Sequence, residues 1–321
     1  MIEKELEKLK REVENCKKCP LWKNRYKSVF GEGPFDAKIM LVGLGPGKNE
    51  NLQGRPFVGA AGRFLNYLLR VAGLQRQEVY ITNVVKCYVP DNNPTEEEIN
   101  ACIPYLSKQI ELIRPKVIIS MGRVALTFFS KKFGIEAFSL MKEHGKLIPI
   151  NTLNLRFKLF LTLHPASALY NPNMRDILIE DWKKVRKLVA EICGIEIREE
   201  VQAVIKIDGK VIIVKKNGEW RLLKGGINPF ETAEEALKRE LNEELNIEKF
   251  RIVKKVDYCY AFKTKTHLHS VDNIFLIEIS EKEEIEADKK ELENYRIVEF
   301  KEALEMLRWN EEKEVLKKAF S

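Results

Sequence analysis

Short apolar runs alternate with amphipathic stretches along the first part of the chain. Residues 39–42, 79–85, 115–122 and 157–162 are rich in Val, Ile and Leu. They have the length and composition of strands buried on both faces. Helical periodicity fills the gaps, over about 62–71, 95–113, 123–132 and 174–192, after an N-terminal amphipathic helix at 3–15. Thr95 is a natural N-cap, followed by Glu96, Glu97 and Glu98, whose charges suit the positive end of a helix. Residues 134–156 carry no clear period and read as irregular. Strands alternating with helices predict an α/β fold around a mostly parallel sheet.

The pattern changes after residue 193. Residues 194–200 (GIEIREE) are a polar junction. Strands at 201–207 and 210–216 flank Asp208-Gly209, a hairpin turn dipeptide. Further strands fall near 251–262 and 271–280, and a last helix at about 301–319. This half reads as an α/β/α sandwich. The expected organisation is a first domain at 1–193, a linker at 194–200 and a second domain at 201–321. A chain of 321 residues suits two domains.

Charge sharpens the division. Residues 1–200 carry 32 Lys and Arg against 23 Asp and Glu, whereas residues 201–321 carry 23 against 25. A basic first half suits a polyanion such as DNA, although a solvated Lys/Glu surface has the same composition. The Lys/Glu-rich content also suits a thermophile. With no apolar run of membrane-spanning length and a charged N-terminus, the expected setting is the cytoplasm.

Six cysteines in such a chain are better metal ligands or buried thiols than disulfides. Cys16 and Cys19 are spaced to grip one metal centre, although the spacing alone fits zinc, iron–sulfur or chance. Cys87 and Cys102 stand too far apart for the short second pair of most zinc modules. Cys193 and Cys259 are solitary and read as packing residues.

The strand at 39–42 runs into Gly43-Leu44-Gly45-Pro46-Gly47, then Arg55-Pro56-Phe57-Val58-Gly59. A loop so rich in glycine lets backbone N–H groups approach a ligand. Its spelling resembles that of the family 4 uracil-DNA glycosylases, the iron–sulfur type. CPLW at Cys19, TNVVKCY around Cys87, INACIPYL around Cys102 and HPASAL from His164 are similar to that family as well. The resemblance implies a [4Fe–4S] cluster on Cys16, Cys19, Cys87 and Cys102, with a structural role, and DNA containing uracil as the partner. It implies that Phe57 stacks on a flipped uracil, that Asn83 reads its edge and that His164 faces O2. Leu169 falls where a wedge into the vacated base stack is expected. Gly43, Leu44 and Gly45 form the substrate loop.

Leu44 departs from the pattern. The family usually has Glu there, implicated in handling the attacking water, and Glu50-Asn51 stands where Glu-Asp is usual. Gly-Leu-x-Pro is similar to the family 5 glycosylases, which lack that acid. Three readings stay open: loop backbone and substrate phosphates suffice, Glu50 takes over as a catalytic group, or the domain binds uracil-containing DNA without cleaving it.

Residues 225–247 supply a second motif. Glu240, Glu243 and Glu244 lie on one helical face, where mutual repulsion favours divalent metal. With Gly225, Glu231, Arg239, Leu241 and Ile247 in register, the stretch resembles a Nudix box, implying Mg²⁺ or Mn²⁺ on those carboxylates. Asn246 replaces the usual Gly at the helix end, where it tolerates the left-handed conformation. The substrate class implied is a nucleotide-type small molecule: a damaged nucleoside triphosphate, a dinucleoside polyphosphate, ADP-ribose or another diphosphate-linked nucleoside. The expected enzyme is therefore a uracil-DNA glycosylase fused to a Nudix hydrolase. The alternatives are a non-cleaving uracil-DNA-binding module beside an active Nudix domain, and a Nudix enzyme alone.

Overall fold

The computed structural model describes residues 2–136 and 139–321. They form two compact units, divided between Cys193 and Gly194.

In the first unit the apolar runs pair into one sheet. The strands are β1 (Ile39–Gly43), β2 (Tyr80–Asn83), β3 (Val117–Met121), β4 (Leu147–Asn151) and β5 (Arg156–Thr162), in the order β2-β1-β3-β5-β4. All neighbours are parallel except β4 and β5. The helices are α1 (Ile2–Glu14), α2 (Lys48–Gln53), α3 (Ala60–Val71), α4 (Glu96–Ile113), α5 (Arg123–Phe133), α6 (Leu140–Glu143), α7 (Ser167–Tyr170) and α8 (Asn173–Cys193). Every residue of β1, β2 and β3 is buried, because helices cover the sheet, and this explains their largely apolar spelling, broken by Thr82, Asn83 and Ser120. Each Leu or Ile so buried contributes roughly 1.5–3 kcal/mol. Thr95 caps α4 reciprocally with Glu98, a motif worth about 1 kcal/mol. Part of the stretch read as irregular is the edge strand β4. Its burial is mostly on one residue, Ile150, so no period showed.

The second unit holds β6 (Glu196–Ile207), β7 (Lys210–Lys216), β8 (Glu219–Arg221), β9 (Leu223–Gly226), β10 (Arg251–Lys255), β11 (Tyr260–Lys263), β12 (His267–Glu278) and β13 (Asn294–Val298). Its helices are α9 (Ala233–Leu245), α10 (Phe300–Met306) and α11 (Asn310–Phe320). The sheet is mixed: β6 runs parallel to β12 and antiparallel to β7 and β9. Val201, Ala203, Ile205 and Ile207 alternate onto the core shared with Leu237, Leu241 and Leu245 of α9. Gln202, between them, faces Glu312 of α11 on the opposite side. The sheet is thus sandwiched between helices. Asp208 and Gly209 both adopt positive φ, as the predicted hairpin turn requires.

Three expectations change here. Glu196 to Glu200, expected in a linker, form the start of β6 and pair with β12. Their polar side chains hid a strand whose stability comes from its ladder. The strand expected near 251–262 is two, β10 and β11. The last helix is broken at Leu307, where the backbone turns extended, and resumes at Asn310.

Candidate active sites

The first site gathers at the C-terminal ends of β1, β2 and β5, where open α/β sheets place ligands. Gly43 and Asn83 are register partners at the ends of β1 and β2. Asn83 is 2% exposed and its Oδ1 has no hydrogen-bond partner. A buried amide oxygen left this way is costly unless a ligand supplies the donor. A Cβ on Gly43 would stand 2.6 Å from that oxygen and 2.7 Å from Phe57 Cζ. Glycine is therefore what lets Asn83 and Phe57 converge.

Phe57 sits at φ +49°, an unfavourable region for an aromatic residue. The strain is held by Arg76, whose guanidinium donates to the carbonyls of Pro56 and Phe57. The Phe57 ring lies 5.5 Å from that of His164, at 28°. His164 follows β5, and its Nδ1 accepts from the Ala166 N–H at 3.2 Å. Burial pushes its imidazole down to about 4, the Glu50 charge opposing weakly. His164 is therefore neutral at ordinary pH, with its proton on Nε2. Leu169 and Tyr170 of α7 are both exposed.

Leu44 gives its carbonyl to the Val85 N–H at 2.9 Å and its side chain to the core. Glu50 Oε1 accepts the N–H groups of Val58 and Gly59, each at 2.8 Å. Its visible work is to hold the loop that carries Phe57.

Cys16, Cys19, Cys87 and Cys102 all line one small pocket, with Trp22, Lys86 and Tyr105. Arg25 Nη1 donates to Cys87 Sγ at 3.5 Å and the Lys86 N–H to Cys102 Sγ at 3.4 Å. Burial pushes the Cys102 thiol up to about 12. Among the described residues no three His, Cys, Asp or Glu are gathered tightly enough for a single metal ion. Four thiols lining one pocket, two of them accepting N–H bonds, are a donor set whose chemistry suits a thiolate-held cluster. Cys259 is buried, as a packing residue should be, but Cys193 is exposed at the end of α8.

The second site lies where β9 meets α9. Arg239 makes a two-pronged pair with Glu231 at 2.8 and 2.9 Å. It also donates to Glu240 at 2.7 Å, Glu243 at 3.0 Å and the Gly226 carbonyl at 2.7 Å. Glu231 is held at about 2, chiefly by its bonds from Arg239. Glu244 is buried and meets Lys216 Nζ at 3.0 Å. Burial pushes the Glu244 carboxyl up, and Lys216 opposes this. A Cβ on Gly225 would lie 1.8 Å from the Glu240 carboxyl carbon, so only glycine lets Glu240 reach across β9. Asn246 takes the left-handed cap at φ +54°. Of the expected triad, Glu240 and Glu243 lie beside Arg239 and Glu244 beside Lys216, and among the described residues the three carboxylates are not gathered round a single metal position.

The family model for the uracil DNA glycosylase superfamily matches residues 30–186, and that for the NUDIX domain matches residues 198–319. A type-4 uracil-DNA glycosylase of Sulfurisphaera tokodaii is 50% identical over 185 residues, covering 57% of this chain and 84% of that protein. The chain belongs to the type-4 uracil-DNA glycosylases. The Archaeoglobus fulgidus member is 41% identical, over 59% of this chain and 94% of its own length. A type-5 uracil-DNA glycosylase of Thermus thermophilus is 35% identical, over 41% of this chain and 65% of that protein. To its glycosylase unit this chain adds a Nudix domain.

Several residues of these sites carry no sequence signal. Arg76 braces Phe57 from 19 positions away. Arg25 ties Cys87 to the carbonyls of Val13 and Glu14 at the end of α1. Lys216, a plain strand lysine by sequence, pairs with Glu244 and Glu291. Only the folded chain makes these neighbours. Among the described residues no helix is long and apolar enough to cross a membrane.

Proposed function

We propose that residues 1–193 release uracil from DNA by hydrolysing its N-glycosidic bond, and that the rest of the chain is a metal-dependent hydrolase of diphosphate-linked nucleosides. The observation that carries the first assignment is the buried, unpartnered Oδ1 of Asn83 beside Phe57. That oxygen accepts from uracil N3–H while the amide nitrogen donates to O4. Cytosine presents the reverse pattern. Phe57 offers its ring to the flipped base, a contact worth roughly 1–3 kcal/mol. The neutral His164 directs Nε2–H to O2, where negative charge grows as the bond breaks. Leu169 fills the gap left in the stack.

Leu44 has no group to activate water, and Glu50 Oε1 is committed to the Phe57 loop. The loop backbone and the substrate's phosphates then supply what the missing acid does elsewhere. Leu44→Glu is accordingly expected to keep or raise uracil release in single-turnover assays. Complete loss with an unchanged thermal midpoint would show that position 44 does not face the reacting sugar.

Cys16, Cys19, Cys87 and Cys102 would hold a [4Fe–4S] cluster, which when bound ties α1 to the loop after Asn83. At the second site Glu240, Glu243 and Glu244 would hold Mg²⁺ or Mn²⁺, which supplies charge neutralisation of a diphosphate and a more acidic water. Arg239 and Glu231 hold the carboxylates in place.

The deciding experiment is base release from uracil-containing single- and double-stranded DNA in EDTA. Chelation of Mg²⁺ and Mn²⁺ silences the second site and leaves the first untouched. Abasic sites at an undiminished rate are the expected result. DNA bound without abasic sites would instead make the first unit a non-cleaving uracil reader.

A further inference from the structure

Lys86 is among the largest fully buried side chains of the described residues, 1% exposed. Its ammonium group is satisfied entirely from within. It donates to Thr82 Oγ1 at 2.7 Å, to the Asn83 carbonyl at 2.7 Å and to Gln109 Oε1 at 2.6 Å. An ammonium has three donors, and all are used. Gln109 in turn donates to the Phe30 carbonyl at 2.8 Å and to the Tyr80 hydroxyl at 3.0 Å, and Thr82 donates to the same Phe30 carbonyl at 2.9 Å.

The position of this network gives it a purpose. β2 is an edge strand of its sheet. Among the described residues its open side is bridged once, at Ile81 with Glu32. Asn83 is the last residue of the strand, so no further strand residue meets its carbonyl on that side. Lys86 does so by folding its side chain back over Asn83. On the other flank, the Val84 N–H donates to the Gly43 carbonyl at 3.0 Å. The peptide after Asn83 is thereby gripped from both sides. The backbone of Lys86 is itself fixed, its N–H on Cys102 Sγ at 3.4 Å and its carbonyl accepting from Val29 at 2.8 Å. One residue thus joins the cysteine pocket to the residue that reads the base. A hydrocarbon side chain would fill the space without burying a polar group, so the three short bonds from Nζ, one of them to the Asn83 carbonyl, point to orientation of Asn83 rather than to packing.

We propose that Lys86 is a positioning residue for uracil recognition: its ammonium fixes the Asn83 peptide, and so sets the Asn83 amide against the uracil edge. This rests on the glycosylase reading above. Lys86 touches no substrate; it acts through Asn83.

The test uses full-length protein, with Lys86→Met and, as a milder change, Thr82→Val, which removes one of the three acceptors. Iron and sulfide content and thermal midpoint are measured first, so that variants are compared with intact fold and cluster. The readouts are Ki for free uracil and single-turnover release. Lys86→Met is expected to raise Ki for uracil about tenfold or more, the size of effect that leaving buried acceptors unpaired produces. Its affinity for uracil-free DNA is expected to stay the same. Thr82→Val is expected to shift Ki in the same direction by a smaller factor. A purely structural role would lower the thermal midpoint and leave Ki unchanged, and that result in Lys86→Met overturns the proposal. If Lys86→Met does not fold, an unchanged Ki in Thr82→Val overturns it equally. Wild-type protein that releases no uracil in the same assay would overturn the glycosylase reading itself, a distinct result.

Discussion

Replacing His164 with alanine is expected to lower uracil release by at least tenfold, and by about 10²–10³ if its donor acts alone on O2. The Ala166 N–H occupies Nδ1 and leaves Nε2 as the donor. Burial keeps the ring neutral down to about pH 4. A neutral imidazole hydrogen-bonded to the departing base would stabilise charge without having to give up a proton. The pH dependence follows with a definite sign. Because the folded pKa lies below the unfolded value of about 6.5, the unfolded chain binds the proton more readily over that interval. The stability associated with neutral His164 is complete above the unfolded pKa and is lost as pH falls through 6.5 towards about 4. Single-turnover release should therefore show no His164 limb between about pH 5.5 and about pH 8. A limb centred near the ordinary histidine value, or an unchanged rate in His164→Ala, would remove this residue from the mechanism.

Glu240→Gln is expected to lower metal-dependent hydrolysis by the second domain by about 10²-fold, the upper range for disturbing one metal-site group. The amide is isosteric, so it still fits over Gly225, but it lacks the charge. Mn²⁺ binding by calorimetry should weaken with it. Hydrolysis is followed by chromatography of the nucleotide products formed from ADP-ribose, a dinucleoside polyphosphate and an oxidised nucleoside triphosphate. Uracil release in EDTA should be unaffected in this variant. Retained Mn²⁺ affinity together with full hydrolysis would show that Glu243 and Glu244 suffice and that Glu240 only anchors Arg239. The Glu231–Arg239 pair makes this variant a clean probe. Arg239 retains two bonds to Glu231 and one to the Gly226 carbonyl when the Glu240 charge is gone.

Much of this was written in the chain. Strands buried on both faces spell themselves as largely apolar runs, so β1, β2, β3 and β5 were visible. Thr95 with Glu98, and Asp208-Gly209, are local devices whose geometry depends only on near neighbours. The glycines at 43 and 225 stand in motifs that sequence alone singles out. Elements that owe their stability to a distant partner were not visible. The first residues of β6 have a polar spelling, and Pro149 interrupts the apolar residues of β4; both segments are strands because β12 and β5 supply their ladders. The break at Leu307 interrupts a stretch whose period reads as one helix.

The sequence by itself determined which residues can do chemistry: two cysteine pairs, an asparagine and a histidine after strands, and three glutamates on one helical face. The glutamates and the first cysteine pair are marked by short spacings, which are local; the other cysteines, the asparagine and the histidine are marked by the resemblance of the residues around them to a known family. Only the tertiary structure decided what each is paired with. It brought Arg76 under Phe57, engaged Glu50 with the loop at Val58 and Gly59, set Lys216 on Glu244, and folded Lys86 back onto Asn83. Such partners are distant or unpatterned in the chain and adjacent only once the sheet is formed. Burial then determines their charge state, because desolvation depends on everything packed around a group and on nothing spelled beside it.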